Sequence, residues 1–156
     1  MRLFLAFAAA GLVAGCSDLI GGGGPNIPDE VIGAIATDFH EDTVRVWVPD
    51  TVRVGEQFPV AVETYYRCGL SPGRTEIRTL DMRVEITPYM QYRRRSACPS
   101  ILKGETRTVS IRFDHTGRGT VVFYGTADVR FPAWRGHTPE PVDTLEVMRH
   151  VVVLDR

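Results

Sequence analysis

Several features that would point to a familiar function are missing from this sequence. Its 156 residues carry a formal net charge of −1, whereas a dedicated nucleic-acid-binding domain is usually strongly basic. The apolar run at residues 3–13 is too short to cross a bilayer as a helix, which needs about 20 apolar residues. No GxSxG, HExxH, P-loop or GxGxxG pattern occurs. We therefore predict that the protein is not an enzyme and binds no cofactor.

Histidine is scarce, and its neighbours do not define a metal site. The acidic segment 38–42 places His40 among carboxylates, but its spacing matches neither a calcium loop nor a tetrahedral zinc site. His115 and His137 lie in segments rich in turn residues, and His150 lies in a β-branched run near the carboxyl terminus. None of them has a serine or cysteine partner that the sequence could place beside it. We predict no catalytic residue and no metal ligand.

The amino terminus carries the most specific pattern in the chain. Arg2 precedes the apolar residues 3–13, which is the arrangement of a secretory signal peptide. The following Leu12-Val13-Ala14-Gly15-Cys16 resembles the lipobox of bacterial lipoproteins. In that family the cysteine is diacylated, the signal is cut before it, and the new amino terminus is acylated. The resemblance implies a signal peptide at residues 1–15 and a palmitate-type membrane anchor on Cys16.

The resemblance also implies a location in the cell envelope. Ser17 follows the cysteine where some inner-membrane lipoproteins have Asp, and Asp18 lies one place further on. We expect a protein held at the outer membrane, facing the periplasm or the cell surface, with the choice between the two membranes left open.

The composition of residues 16–42 predicts a tether between the anchor and a folded domain. Four glycines at residues 21–24 are followed by Pro25 and Pro28, a composition that favours a flexible spacer. Residues 29–42 are ambiguous, because their apolar positions suit either a short helix or an early strand.

From Thr43 onward, apolar residues recur with a period of two, which is typical of β-strands. The alternating segments are residues 43–48, 51–54, 58–66, 80–87, 108–113, 120–130 and 145–154. Six or seven strands separated by turn signals predict an all-β fold, a single antiparallel β-sandwich over residues 43–156. The run Val151-Val152-Val153 suits a strand buried on both faces or near the middle of a sheet.

This pattern resembles the immunoglobulin-like and fibronectin-III-like modules of exported bacterial proteins. The segment Pro49-Asp50-Thr51-Val52-Arg53-Val54-Gly55, followed by an alternating strand, is similar to the opening of such modules. The sequence departs from antibody domains because Trp47 precedes both domain cysteines, so a disulfide beneath a tryptophan is not expected.

Cys68 and Cys98 remain once Cys16 is lipidated, an even number for an oxidising compartment. We predict a disulfide between them. Closing a loop of about 30 residues would stabilise the fold by roughly 3–4 kcal/mol in the chain-entropy model. A redox centre or a pair of metal thiolates is the alternative, but no CxxC spacing is present.

Two segments are candidate binding surfaces. Tyr92 precedes the run Arg93-Arg94-Arg95, within a basic stretch that runs from residue 67 to residue 112. Arginine forks bind anionic groups, although positive charges also protect a sheet edge from aggregation. Trp134 and Arg135 lie in a loop rich in proline and glycine, where they could anchor a partner or cover the end of the core.

These expectations combine into one functional prediction. The chain would be a lipid-anchored, non-catalytic binding module of the envelope, attached to the membrane through its amino terminus. Its partner would be an envelope protein or an anionic glycan, and not a nucleic acid. The alternatives are a structural accessory subunit of an envelope complex and a hydrolase or metal-binding protein.

Overall fold

The computed structural model describes residues 30–37, 43–92, 101–127 and 143–155, and the secondary structure of these residues is entirely β. The strands are β1 (Glu30–Ile32), β2 (Ala34–Ile35), β3 (Val46–Trp47), β4 (Thr51–Arg53), β5 (Phe58–Tyr66), β6 (Leu70–Leu80), β7 (Arg83–Tyr92), β8 (Lys103–Ile111), β9 (Gly117–Thr126) and β10 (Thr144–Leu154). Within the described part of the chain there is no helix long and apolar enough to span a membrane.

One layer of the fold has the strand order β6–β7–β9–β10–β4. Strands β6 and β7 form an antiparallel hairpin, and β9 lies parallel to the first half of β7, with Val84 opposite Val121. Strand β10 is antiparallel to β9 along its whole length, and its last residues pair in parallel with β4, with Val153 opposite Val52.

The other layer is centred on β5. Strand β8 pairs antiparallel with all of β5, from Phe58 opposite Ile111 to Tyr66 opposite Lys103. The other edge of β5 carries the short strands β3 and β2, one after the other. Strands β1 and β2 link the layers, because β1 pairs with β7 while β2 pairs with β5 and touches the end of β9. The Gly33 N–H between them donates to the Pro88 carbonyl at 2.8 Å.

The hydrophobic core lies between the two layers and is built from alternate residues of the long strands. Its members include Val60 and Val62 of β5, Val84 and Ile86 of β7, Val121 and Phe123 of β9, and Val147, Val151 and Val153 of β10. Phe58 and Phe113 close one end, with ring centroids 5.8 Å apart. The predicted all-β sandwich is therefore confirmed.

The predicted antiparallel pairing holds for most strand pairs but not for all of them. Strand β9 runs parallel to β7, and β4 runs parallel to β10. The reason is the path of the chain, which leaves β7, forms β8 in the opposite layer, and then returns to pair beside β7. Such a crossover brings the next strand back in the same direction.

The sequence also missed a hairpin. It predicted one strand over residues 80–87, whereas β6 ends at Leu80, the chain turns at Asp81, and β7 begins at Arg83. Asp81 has a φ of 54°, a left-handed turn conformation that Asp tolerates better than most residues. Strand β6 escaped prediction because it is an edge strand whose residues are half-buried or exposed, without regular alternation.

Two other interpretations are settled by the strand positions. Residues 30–35 form strands rather than a helix. The run Val151-Val152-Val153 is not buried on both faces of the sheet, because Val151 and Val153 are buried whereas the side chain of Val152 is half exposed. Val152 lies on the face of β10 that is turned away from the core, so it stays half exposed although β10 is paired with β9 and β4 at this point.

Candidate ligand-binding cleft

Many residues that the sequence singled out lie outside the described residues. These are Cys16, His40, Arg93, Arg94, Arg95, Cys98, Trp134, Arg135 and His137. Their predicted roles stay predictions. The tether and the signal peptide lie outside the described residues as well, apart from residues 30–37.

Two of the predicted site residues can be placed. Tyr92 is the last residue of β7, half-buried and opposite Leu70 of β6. Cys68 lies in the turn between β5 and β6 and is disulfide-bonded. Because its predicted partner Cys98 is not described, the pairing of these two cysteines stays a prediction.

The described histidines lie on the surface. His115 is mostly exposed, with Nε2 3.8 Å from the Asp81 carboxylate. His150 projects from the outer face of β10, where its Nδ1 is 3.4 Å from the Thr120 hydroxyl. No group of three or more His, Cys, Asp or Glu residues in the described part of the chain could hold a metal ion.

The arginines of the β6–β7 hairpin are paired with carboxylates. Arg74 donates to Glu30 and to Glu76, both at 2.9 Å, and its guanidinium lies 4.1 Å from the centre of the Tyr89 ring. Arg78 donates to the other oxygen of Glu76 at 2.7 Å. The hydrogen bond from Arg74, and to a smaller extent that from Arg78, lowers the pKa of Glu76 below its ordinary value.

A second polar network lies beside the first on the outer face. Arg83 donates to Glu85 and to the Tyr124 hydroxyl, both at 2.8 Å, and Glu146 lies 3.6 Å away. The hydrogen bond with Glu85, followed by that with Tyr124, raises the pKa of Arg83. Arg74, Arg78 and Arg83 are thus engaged within the molecule. Their partners are carboxylates two residues away on the same strand and, for Arg74 and Arg83, also Glu30 and Glu146 from distant strands.

Away from the β6–β7 hairpin, an open cleft contains an exposed aromatic residue, Trp47. It lies on β3 opposite Ala61, between Val46 and Val48, which pack against the core. Strand alternation therefore turns Trp47 outward, and it is 51% exposed. Strand β3 ends at Trp47, and Pro49 soon follows, which cannot donate to a ladder.

The cleft in front of Trp47 is open to solvent and has a volume of about 580 Å³, within the usual range for small-molecule sites. Pro59 and Ala61, on the outward side of β5, form an apolar wall together with the segment from Val46 to Pro49. The polar groups are supplied by Asp50, Thr108 and Arg149.

Arg149 differs from the hairpin arginines in its partners. Its guanidinium donates to the Met148 carbonyl at 3.0 Å, and no carboxylate of the described residues lies within ion-pair distance. It occupies a core-facing register of β10, in line with Val147 and Val151, yet it is exposed. Arg149 is therefore open to solvent, and it is one of the residues that line the cleft.

The sequence did not point to this cleft. The sequence marked Trp47 only as a member of an alternating strand that precedes both domain cysteines, and it did not single out Arg149. The available signal was local: a tryptophan flanked by two core-facing valines must face outward, and a proline two residues later ends the strand. Nothing in the sequence placed Arg149 beside it.

Comparison with known proteins gives no match. No family model matches the sequence, and neither a curated protein nor a solved structure is significantly similar to the chain.

Proposed function

We propose that this protein is a lipid-anchored, non-catalytic binding module of the cell envelope, and that it binds its partner in the cleft at Trp47. The observation that carries the binding role is the half-exposed Trp47 in an open cleft that also holds an arginine without a carboxylate partner among the described residues. Tryptophan and arginine are the residues most enriched at binding hot spots.

The fold supports this role because it fixes the backbone on which the cleft is built. Val46 and Val48 pack against the core on either side of Trp47, and the neighbouring strand β5 is paired on both edges. A backbone that is already ordered before the partner binds costs no further backbone entropy on binding.

The anchor is the second part of the proposal. The resemblance of residues 12–16 to a lipobox supports acylation of Cys16, with a flexible tether between the anchor and the domain. Two or more acyl chains give stable membrane attachment, whereas a single chain holds only marginally. The tether would hold the domain at a distance from the membrane. Ser17 follows the acylated cysteine where some inner-membrane lipoproteins have Asp, which favours the outer membrane.

A specific observation favours the alternative of an accessory subunit. Met148, Val152 and Leu154 on the outer face of β10 are 43%, 51% and 49% exposed. An apolar row on an open sheet face is the kind of surface that a larger assembly covers. This row and the Trp47 cleft belong to different faces of β10, so mutations can separate them.

Capture from detergent-solubilised envelope tests the proposal. The full chain serves as bait, as wild type and as the variants Trp47→Ala, Met148→Ser/Val152→Ser and, as a control, Leu80→Ala, which removes another exposed apolar side chain. We expect a specific partner to be captured by the wild type and the control and lost with Trp47→Ala.

The remaining outcomes distinguish the alternatives. A partner that survives Trp47→Ala but is lost with the β10 double variant would favour the accessory subunit. A partner lost only on Trp134→Ala or on triple alanine substitution of Arg93, Arg94 and Arg95 would move the site to the segments that the sequence favoured. Turnover of a captured ligand would contradict the non-catalytic role.

A further inference from the structure

We infer that the ligand of the Trp47 cleft is a saccharide that bears a carboxylate, with a sugar ring packed on the Trp47 indole and the acid group bound by Arg149. This inference rests on the proposed function and names the chemical class of its ligand. Three observations support it: the small side chains of the apolar wall, the exposed indole, and the absence of a carboxylate partner for Arg149 among the described residues.

The apolar part of the cleft suits a flat, amphipathic ring. Pro59 and Ala61 present small side chains on the outward side of β5, so the wall beside Trp47 carries no bulky group. The indole offers a large rigid face at little cost in conformational entropy, and its faces are electron-rich. The C–H groups on one side of a sugar ring are complementary to such a face.

Arg149 supplies the charge selectivity. The hairpin arginines Arg74, Arg78 and Arg83 each contact at least one carboxylate. Arg149 contacts only a neighbouring carbonyl among the described residues, which leaves most of its five donors available. A guanidinium fork binds a carboxylate through two parallel hydrogen bonds, and it does so best where water is partly excluded.

The other two polar residues fit the hydroxyl groups of a sugar. Thr108 projects from the exposed side of β8 and can both donate and accept a hydrogen bond. Asp50 can accept from two hydroxyl groups, and its negative charge repels the acid group of the ligand. Asp50 and Arg149 together therefore favour one orientation of an acidic sugar.

Calorimetric titration of the full chain in detergent tests this inference with two matched probes, a trisaccharide of galacturonic acid and the corresponding neutral trisaccharide of galactose. We expect the acidic probe to bind about tenfold more tightly than the neutral one, a ratio that falls as salt screens the charge pair. Trp47→Ala should weaken both probes by about tenfold or more.

The arginine variants separate charge recognition from folding. Arg149→Gln should weaken the acidic probe by about tenfold and leave the neutral probe unchanged, so that the two become equal. Arg149→Lys should restore part of the preference, because lysine keeps the charge but not the fork. Arg118→Gln, which removes an exposed arginine outside the cleft, should change neither probe.

Equal binding of the two probes by the wild type would overturn the inference, as would binding of neither probe. A preference that persists in Arg149→Gln would also overturn it. If neither saccharide binds while the envelope capture still depends on Trp47, the sugar is the wrong ligand and the binding role remains. If neither saccharide binds and the wild type also captures no partner from the envelope, the proposed function itself is contradicted.

Discussion

Arg107 shows at the scale of one residue why a sequence count of charges misleads. In the sequence it belongs to the basic stretch that suggested a surface for anions, yet it is only 8% exposed. It lies in register with Val109 and Ile111 on the core-facing side of β8. Strand alternation could have placed it inside, but nothing in the sequence named its partners.

Those partners come from an irregularity in a distant strand. The pairing of β6 with β7 shifts between Pro72 and Thr75, and the Gly73 and Arg74 carbonyls there accept from Arg107 at 3.3 and 3.2 Å. Its other terminal nitrogen lies 3.2 Å from the Met90 sulfur. Burial lowers the pKa of Arg107, and the nearby charge of Glu105 offsets part of this. Arg107 thus joins the edges of the two layers.

We predict that Arg107→Ala lowers the free energy of unfolding by about 2–4 kcal/mol, because it opens a cavity and leaves the bulge carbonyls without donors. Urea unfolding measures this effect. Arg118→Ala, at an exposed arginine, should change stability by less than about 0.5 kcal/mol. Equal stability of the two variants would mean that Arg107 does not join the layers.

At the scale of secondary structure, the period-two pattern predicted the strands that have one buried and one open face. Strands β5 and β10 were found where apolar residues alternate, whereas of β8 only the second half, from residue 108, was predicted. Strand β6 was missed, because a twisted edge with a bulge has no regular alternation to read. The parallel pairings were missed because direction depends on the path between layers, which local patterns do not encode.

The link between the layers depends on a glycine. Strand β2 packs Ile35 directly over Gly125 of β9, where an added Cβ would clash with the Ile35 Cγ1 and lie 2.6 Å from its Cδ1 and 3.0 Å from the Gly33 carbonyl. Ile35 is buried in the core, and the Gly33 carbonyl accepts from Thr126. The neighbouring backbone therefore has little freedom to move away.

We predict that Gly125→Ala lowers the free energy of unfolding by about 1–3 kcal/mol through this overpacking. Gly104→Ala is the matched control, since its Cβ would meet mainly the end of the Glu63 side chain, which can move. Chemical denaturation of both variants checks the prediction. A Gly125 variant as stable as the Gly104 variant would show that β2 does not pack closely on β9.

At the scale of the whole molecule, the fold brings carboxylates from distant strands to part of the basic stretch of the sequence. The acidic Glu30 and Glu146 come from opposite ends of the described chain and meet the arginines of the β6–β7 hairpin. The cleft lies elsewhere, where Trp47 and Arg149 come together from strands separated by about a hundred residues. Only the fold brings them together, which is why residue patterns could not identify the site.

The proposed membrane anchor at Cys16 is tested most directly by following its acylation. The full-length chain and its Cys16→Ala variant are expressed in a bacterium that processes lipoproteins, labelled with a palmitate analogue and fractionated. We predict that the wild type is labelled and sediments with the membranes, whereas the variant is unlabelled and leaves the membrane fraction. An unlabelled wild type, or a variant that stays with the membranes, would contradict it.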